Sequence, residues 1–110
     1  MNISFKNNKL EQQLSADQGL AKTFGPLAKK VRQRMTQLKS ADNLQVIAEN
    51  KVLRLHPYKG SRKGEWSIDI QENWRIIFLI DHDPIPTLAD GGVNLKEITI
   101  IKIESVEDPH

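Results

Sequence analysis

The spacing of apolar residues changes from helical to strand-like near residue 52. Before that point apolar residues recur every three or four positions, and after it they recur mostly every second position. These are the spacings of one helix face and one strand face. The pattern therefore predicts helices followed by strands. A short strand at 2–6, where Ile3 and Phe5 alternate with polar residues, precedes them.

Three helices are predicted in the first half. The first begins near Asn8, a capping residue type, and stops near Gly19. The longest spans about 26–41, and a short one covers 43–49. The longest has a single apolar stripe, formed by Leu27, Val31, Met35 and Leu38.

Three or four strands are predicted in the second half. The most apolar of them contains Arg75 as its one charged residue, which indicates a central strand covered on both faces. Pro57 ends an earlier strand, because proline lacks the N–H that a sheet ladder needs. The strands lie at about 52–57, 66–70, 74–80 and 97–104, with loops at 58–64 and around 83–92.

This order predicts an α+β fold. An N-terminal strand and two to three helices pack on an antiparallel-rich sheet of four to five strands. The chain has 110 residues, which suits one core, so residues 1–110 are predicted to form one domain.

The charge is unevenly distributed, although the formal net charge is only +2. Residues 22–63 contain eleven Lys or Arg and two acids, whereas residues 81–110 contain seven acids and two lysines. A basic segment of this size can bind phosphates. For the helix lysines taken alone, a solvated helix face is the more common explanation.

Several classes of function are excluded or disfavoured. There is no cysteine, so disulfides and thiolate metal sites are excluded. No segment approaches the roughly 20 apolar residues of a membrane span. The first residues lack the apolar core of a signal peptide, so a cytoplasmic protein is expected. The histidines at 56, 82 and 110 have no metal-ligand spacing, and no cofactor motif is present.

Two candidate catalytic residues lie at and after the end of the first C-terminal strand. His56 alternates with Leu55, so it should point away from the core, where it can exchange protons near neutral pH. Lys59, in the following loop, can reach a phosphate. An ordinary surface role remains open for both. His82, beside two aspartates in a turn, is interpreted as structural or incidental.

Arg75 is harder to explain as a surface residue. A guanidinium inside the most apolar strand requires an anion, which can be a protein carboxylate or a ligand phosphate, and the sequence leaves both open. The last candidates are Asp108 and His110, which lie close to the apolar final strand. A frayed tail is the ordinary alternative for such residues.

These segments together resemble the HigB-type toxins of the RelE/ParE superfamily. The matching strings are Leu55-His56-Pro57-Tyr58-Lys59-Gly60, then Gly64-Glu65-Trp66-Ser67-Ile68, then Asn73-Trp74-Arg75-Ile76-Ile77-Phe78. The resemblance covers nearly the whole chain and includes the ending Glu107-Asp108-Pro109-His110. The loop around 83–92 is similar to an enlarged hairpin of that family.

The resemblance implies a RelE-like fold and a metal-independent, ribosome-dependent endoribonuclease that cleaves mRNA through its 2′-OH. It implies a HigA-type antitoxin and the ribosome, with mRNA and rRNA, as partners, and no membrane or cofactor. The implied catalytic residues are His56, Lys59, Arg75, Asp108 and His110. Residues expected to bind RNA or the ribosome are Lys29, Lys30, Arg32, Arg34, Arg62 and Lys63.

Two alternatives remain open at this stage. The same fold supports ParE-type toxins, which inhibit DNA gyrase without cutting RNA. The chain also has Pro109 where many relatives of this family have tyrosine, which keeps open a catalytically weak remnant that binds only an antitoxin.

Overall fold

The computed structural model describes residues 1–108, so Pro109 and the predicted site residue His110 lie outside the described residues. The described chain forms a five-stranded sheet in the order β1-β5-β4-β3-β2. All strand pairs are antiparallel except β1 with β5, which is parallel. The strands are β1 (Asn2–Phe5), β2 (His56–Pro57), β3 (Glu65–Gln71), β4 (Trp74–Ile80) and β5 (Ile100–Glu107).

Four α-helices occur in residues 1–108, one more than the upper number predicted. They are α1 (Asn8–Ser15), α2 (Asp17–Phe24), α3 (Ala28–Ser40) and α4 (Leu44–Glu49). The predicted α+β class with an antiparallel-rich sheet is confirmed. The side chains of Asn7 and Asn43 cap α1 and α4 by accepting from the amides of Leu10 and Val46.

Gly19 does not end the first helix, as its sequence context predicts, but lies inside α2. A Cβ at this position would overlap the carbonyl oxygen of Gln12 on α1. Glycine is therefore needed because the two helices approach closely here, and the helix break falls earlier, at Ala16 in an extended conformation.

Arg34 lies on the buried side of α3, although it was expected to bind RNA or the ribosome. Its Nε donates to the carbonyl of Asp69 at 2.8 Å and its Nη2 donates to the carbonyl of Ile70 at 3.1 Å. Both carbonyls lie where the β3–β4 register shifts, between Asp69 and Gln71. Arg34 therefore satisfies backbone acceptors at an irregular part of the sheet, and burial lowers its pKa despite the nearby Asp69 charge.

The predicted strand at 52–57 is mostly a turn. Residues Lys51–Leu53 form a 3₁₀ turn, and Arg54 follows in a left-handed conformation with φ 47°. Leu53 is fully buried, so its alternation with Arg54 reflects burial at the end of a turn rather than a strand. The last strand also begins three residues later than predicted, and the preceding Leu95–Glu97 forms another 3₁₀ turn.

The hydrophobic core lies between the helices and one face of the sheet. It includes Val31 and Leu38 of α3 together with Ile68, Ile76 and Phe78 of the central strands. Side chains alternate between the two faces of a strand, so Ser67, Asp69, Arg75 and Ile77 point to the opposite face. This second face carries the polar residues described below.

His82 has a structural role, one of the two alternatives left open by the sequence. Its Nε2 accepts from the backbone amides of Thr99 and Ile100 at 3.0 and 3.2 Å, which ties the two ends of the long β4–β5 loop together. Within residues 1–108, no helix is long and apolar enough to cross a membrane.

Candidate functional site

A cleft of about 340 Å³ lies on the sheet face opposite the helices, where β2, β3 and β4 are adjacent. Pairing places His56 opposite Ser67, and Asp69 opposite Arg75. The strand register therefore brings together residues that are up to 21 positions apart in the sequence. The cleft is lined by Arg54, Leu55, His56, Ser67, Asp69 and Arg75.

His56 and Arg75, two of the predicted catalytic residues, line this same cleft. His56 is exposed, as its alternation with Leu55 predicts, and its ring meets Tyr58 edge-on with the centroids 5.3 Å apart. An exposed imidazole held against an aromatic ring can reach a bound substrate and exchange a proton with it.

Arg75 has one carboxylate partner but is not fully satisfied by it. Its Nε lies 3.7 Å from Oδ1 of Asp69, beyond hydrogen-bonding distance, and its Nη1 donates to the Tyr58 hydroxyl at 3.4 Å. The Nε is buried and has no hydrogen-bond partner among the described residues. The sequence left a protein carboxylate and a ligand phosphate as alternatives. The structure supplies the carboxylate at ion-pair distance, and because Arg75 also lines the cleft, a ligand phosphate stays open as a second partner.

Asp69 was not among the predicted site residues, yet it organises the cleft. Its second oxygen lies 3.6 Å from Nε of Arg54, so one carboxylate stands between two guanidinium groups. The alternation along β3 could have identified Asp69 from the sequence. Ser67 and Asp69 are the polar positions of that strand, and they share a face with Arg75.

The loop between β2 and β3 carries three predicted basic residues. Lys59 and Lys63 are exposed beside the cleft but do not line it. Arg62 makes four hydrogen bonds to the carboxylates of Glu65 and Glu107, at 3.0 to 3.1 Å. Its charge is thus matched within the protein, and it is poorly suited to the RNA-binding role expected from the sequence.

The described part of the C-terminus ends next to the cleft. Glu107 is paired with Arg75 across β4 and β5, and the exposed Asp108 follows it directly. The fold therefore brings the strand end that precedes Asp108 to the strand that carries Arg75. Glu107 accepts from Arg62 and Ser105, which lowers its pKa.

The basic residues of α3 lie on the helical layer, on the other side of the sheet from the cleft. Lys29, Lys30 and Arg32 are exposed, and Arg32 pairs with Asp17 at 2.9 Å. Arg34 is buried in the same helix, which corrects its expected contact with RNA. In residues 1–108, no group of three or more His, Asp or Glu side chains is placed to hold a metal ion.

Residues 3–88 match the model of the HigB-like toxin family, which is described as the RelE-like toxin of the type II toxin-antitoxin system HigB. This chain belongs to that family. The match includes His56, Lys59 and Arg75 but ends before β5 and Asp108.

A curated relative gives the same result. Endoribonuclease HigB of Proteus vulgaris is 38% identical over 77 residues, which make up 68% of this chain and 79% of that protein. The predicted resemblance to HigB-type toxins is therefore confirmed.

Solved structures confirm the predicted RelE-like fold. YafQ from E. coli strain BL21(DE3) aligns with a TM-score of 0.55 at 18% identity, covering 98% of this chain and 92% of that chain. A YoeB/ParE toxin from Agrobacterium tumefaciens aligns with a TM-score of 0.56 at 11% identity, covering both chains completely.

Proposed function

We propose that this HigB-family toxin is an endoribonuclease that cleaves messenger RNA on the ribosome. The observation that carries the proposal is the cleft that His56 and Arg75 line together, which places a histidine and a guanidinium at one site. A phosphate group suits the Arg75 side chain there, because guanidinium groups bind phosphates with strong charge-assisted hydrogen bonds. The name of the Proteus vulgaris relative supports the same activity.

The proposed reaction is transesterification within the RNA strand. The ribose 2′-oxygen attacks the adjacent phosphorus while a general base removes its proton. The bond from phosphorus to the 5′-oxygen breaks, and a general acid gives that oxygen a proton. The products are a 2′,3′-cyclic phosphate and a 5′-OH end, with no change of oxidation state and no added reactant. DNA lacks the 2′-OH and is not a substrate.

Each cleft residue has a role that its chemistry allows. His56 exchanges a proton with one of the reacting oxygens, a step worth about 10²–10⁴-fold in rate. Arg75 stabilises the charge on the five-coordinate phosphorus, and Lys59 adds a mobile positive charge at the rim. Asp108 and His110 are proposed as the other proton-transfer groups, and a pH–rate profile of variants of the three residues assigns base and acid.

The proposed partners follow from this activity. The protein acts in the cytoplasm on ribosomes that carry mRNA, and a HigA-type antitoxin binds and inhibits it. Exposed lysines beside the cleft, Lys59 and Lys63, contact the RNA backbone. The exposed Lys29, Lys30 and Arg32 of α3 remain proposed contacts to rRNA, away from the cleft.

Induction of the toxin without antitoxin, followed by mapping of 5′-OH RNA ends, tests the proposal. New ends at ribosome-bound codons are expected. Growth arrest without new RNA ends, together with gyrase inhibition, supports a ParE-type toxin instead. Normal growth with no new ends supports the antitoxin-binding remnant.

Variants test the site itself. His56→Ala and Arg75→Ala are expected to abolish RNA cleavage while antitoxin binding and the melting temperature stay close to wild type. Lys51→Ala, at an exposed residue that does not line the cleft, is the matched control and should cleave normally. Full cleavage by both cleft variants would show that the reaction occurs elsewhere. Cleavage by purified toxin on programmed ribosomes is also expected to persist when EDTA removes transition-metal ions while excess magnesium keeps the ribosomes intact.

A further inference from the structure

Arg62 joins the loop that carries Lys59 to two strands of the sheet. Its Nε and Nη2 donate to Glu65 on β3, and its Nη1 and Nη2 donate to Glu107 on β5. These two strands are not neighbours, because β4 lies between them. The guanidinium therefore spans β4 and fixes the end of β5 to the β2–β3 loop.

The same guanidinium also supports the cleft through Tyr58. It lies over the Tyr58 ring, 4.8 Å from the centroid, and the Tyr58 hydroxyl accepts from Nη1 of Arg75. The same ring also packs edge-on against His56. Tyr58 thus connects Arg62 with two proposed catalytic residues, His56 and Arg75.

We propose that Arg62 is a positioning residue that holds the His56 and Arg75 cleft and the strand end preceding Asp108 in one catalytic geometry. The inference rests on the proposed endoribonuclease function and deepens it. Arg62 is not required for phosphate binding in this role, because its donors are directed at carboxylates. Arginine is needed, because its planar fork can bind two carboxylates at once, whereas an ammonium group is a single point charge.

The geometry explains why the two parts of the site need such a link. His56 lies on a two-residue strand, and Asp108 directly follows the last residue of β5. Ends of this kind fray unless side chains fix them. A displacement of about 1 Å at a catalytic group can reduce the rate by about 10²-fold.

The test compares Arg62→Gln, Arg62→Lys and a charge-matched control, Lys51→Gln, in cleavage of mRNA on programmed ribosomes. Arg62→Gln is expected to lower kcat by about 10²-fold with little change in KM. Arg62→Lys is expected to recover little of the lost kcat. Lys51→Gln is expected to keep the wild-type kcat. Amide hydrogen exchange at 105–108 is expected to accelerate in both Arg62 variants, but not in Lys51→Gln.

Several outcomes overturn the inference. Full activity in Arg62→Lys shows that charge alone matters, and unchanged exchange at 105–108 shows that Arg62 does not order the strand end. A rise in KM with unchanged kcat shows a direct contact with RNA instead.

Glu107→Gln, which weakens the same link from β5, replaces Arg62→Gln if the latter does not fold. If the wild type cuts no RNA, both the proposed function and the catalytic role of Arg62 are rejected. Amide hydrogen exchange at 105–108 still tests whether Arg62 orders the strand end.

Discussion

Asp69 and Arg75 face each other across β3 and β4, with Oδ1 of the carboxylate 3.7 Å from Nε of the guanidinium. The ion pair is too long for a hydrogen bond, so the carboxylate orients Arg75 without occupying its donor. Asp69 holds Arg54 in the same way at 3.6 Å. This arrangement sets one carboxylate between two arginines that line the same cleft.

Asp69→Asn is expected to lower kcat for RNA cleavage by up to about 10²-fold, because Arg75 loses the charge that orients it. The free energy of unfolding is also expected to fall, because the mostly buried Asp69 carboxylate loses its charge interaction with the buried Arg34. Arg34 still has its acceptor, since it bonds to the main-chain carbonyl of Asp69. Steady-state kinetics and urea unfolding measure both effects, with the exposed Asp42→Asn as the control. Unchanged kcat would show that Asp69 does not orient Arg75.

Arg34→Ala is expected to destabilise the protein by about 2–4 kcal/mol, because two backbone carbonyls lose their donors and a buried side chain is truncated. The matched control is Arg32→Ala on the same helix. Arg32 is exposed and pairs with the exposed Asp17, so its loss should cost less than about 1 kcal/mol. Equal unfolding free energies for the two variants would contradict the structural role of Arg34.

Gly19→Ala is expected to destabilise the protein by about 1–3 kcal/mol, because the added methyl group overlaps the backbone of α1. In an isolated helix the same change would be stabilising, so the sign of the effect reports the helix contact. Gln18→Ala, at an exposed position of the same helix, is the control. Thermal and urea unfolding give the values, and a stabilised Gly19→Ala protein would refute the close approach of α1 and α2.

The Glu107 carboxylate is expected to make stability pH-dependent. Hydrogen bonds from Arg62 and Ser105 lower its pKa in the folded protein below the ordinary value of 4.5. Because the pKa of Glu107 is lower in the folded protein, its ionised form stabilises the fold at any pH above the pKa of the unfolded chain. This stabilisation is lost as the pH falls through the pKa of the folded protein. The difference in unfolding free energy between wild type and Glu107→Gln should therefore be largest near pH 7 and shrink below pH 4.5. A difference that stays constant from pH 7 to about 3 would exclude this linkage.

Local patterns predicted most of the secondary structure. The alternation along β3 and the apolar run of β4 give those strands nearly their observed bounds, with the turn at Glu72-Asn73 between them. The change from apolar Leu55 to polar His56 also predicts correctly that His56 lies away from the core. These features follow from nearest neighbours in the chain, because strand parity and helix periodicity are local properties. The quoted motifs also identified the family correctly.

Arg34 shows where the interpretation of the sequence went wrong. It lies three residues after Val31 and four before Leu38, so the helical spacing alone puts it on the buried stripe. Its charge outweighed that spacing in the prediction. Burial became possible only because a register shift in β3 presents carbonyls to it, which a local pattern does not reveal.

By itself, the sequence determined the α+β class, the hairpin of β3 and β4 and the HigB-type resemblance. It also predicted His56 and Arg75 as site residues, and their catalytic roles stay a prediction. Only the tertiary structure decided that Asp69 stands between two arginines, that Arg62 links β3 to β5, and that β1 pairs in parallel with β5. Those contacts join residues from separate segments of the chain. Their partners depend on strand order and register, which are set by the packing of the whole core rather than by any one segment.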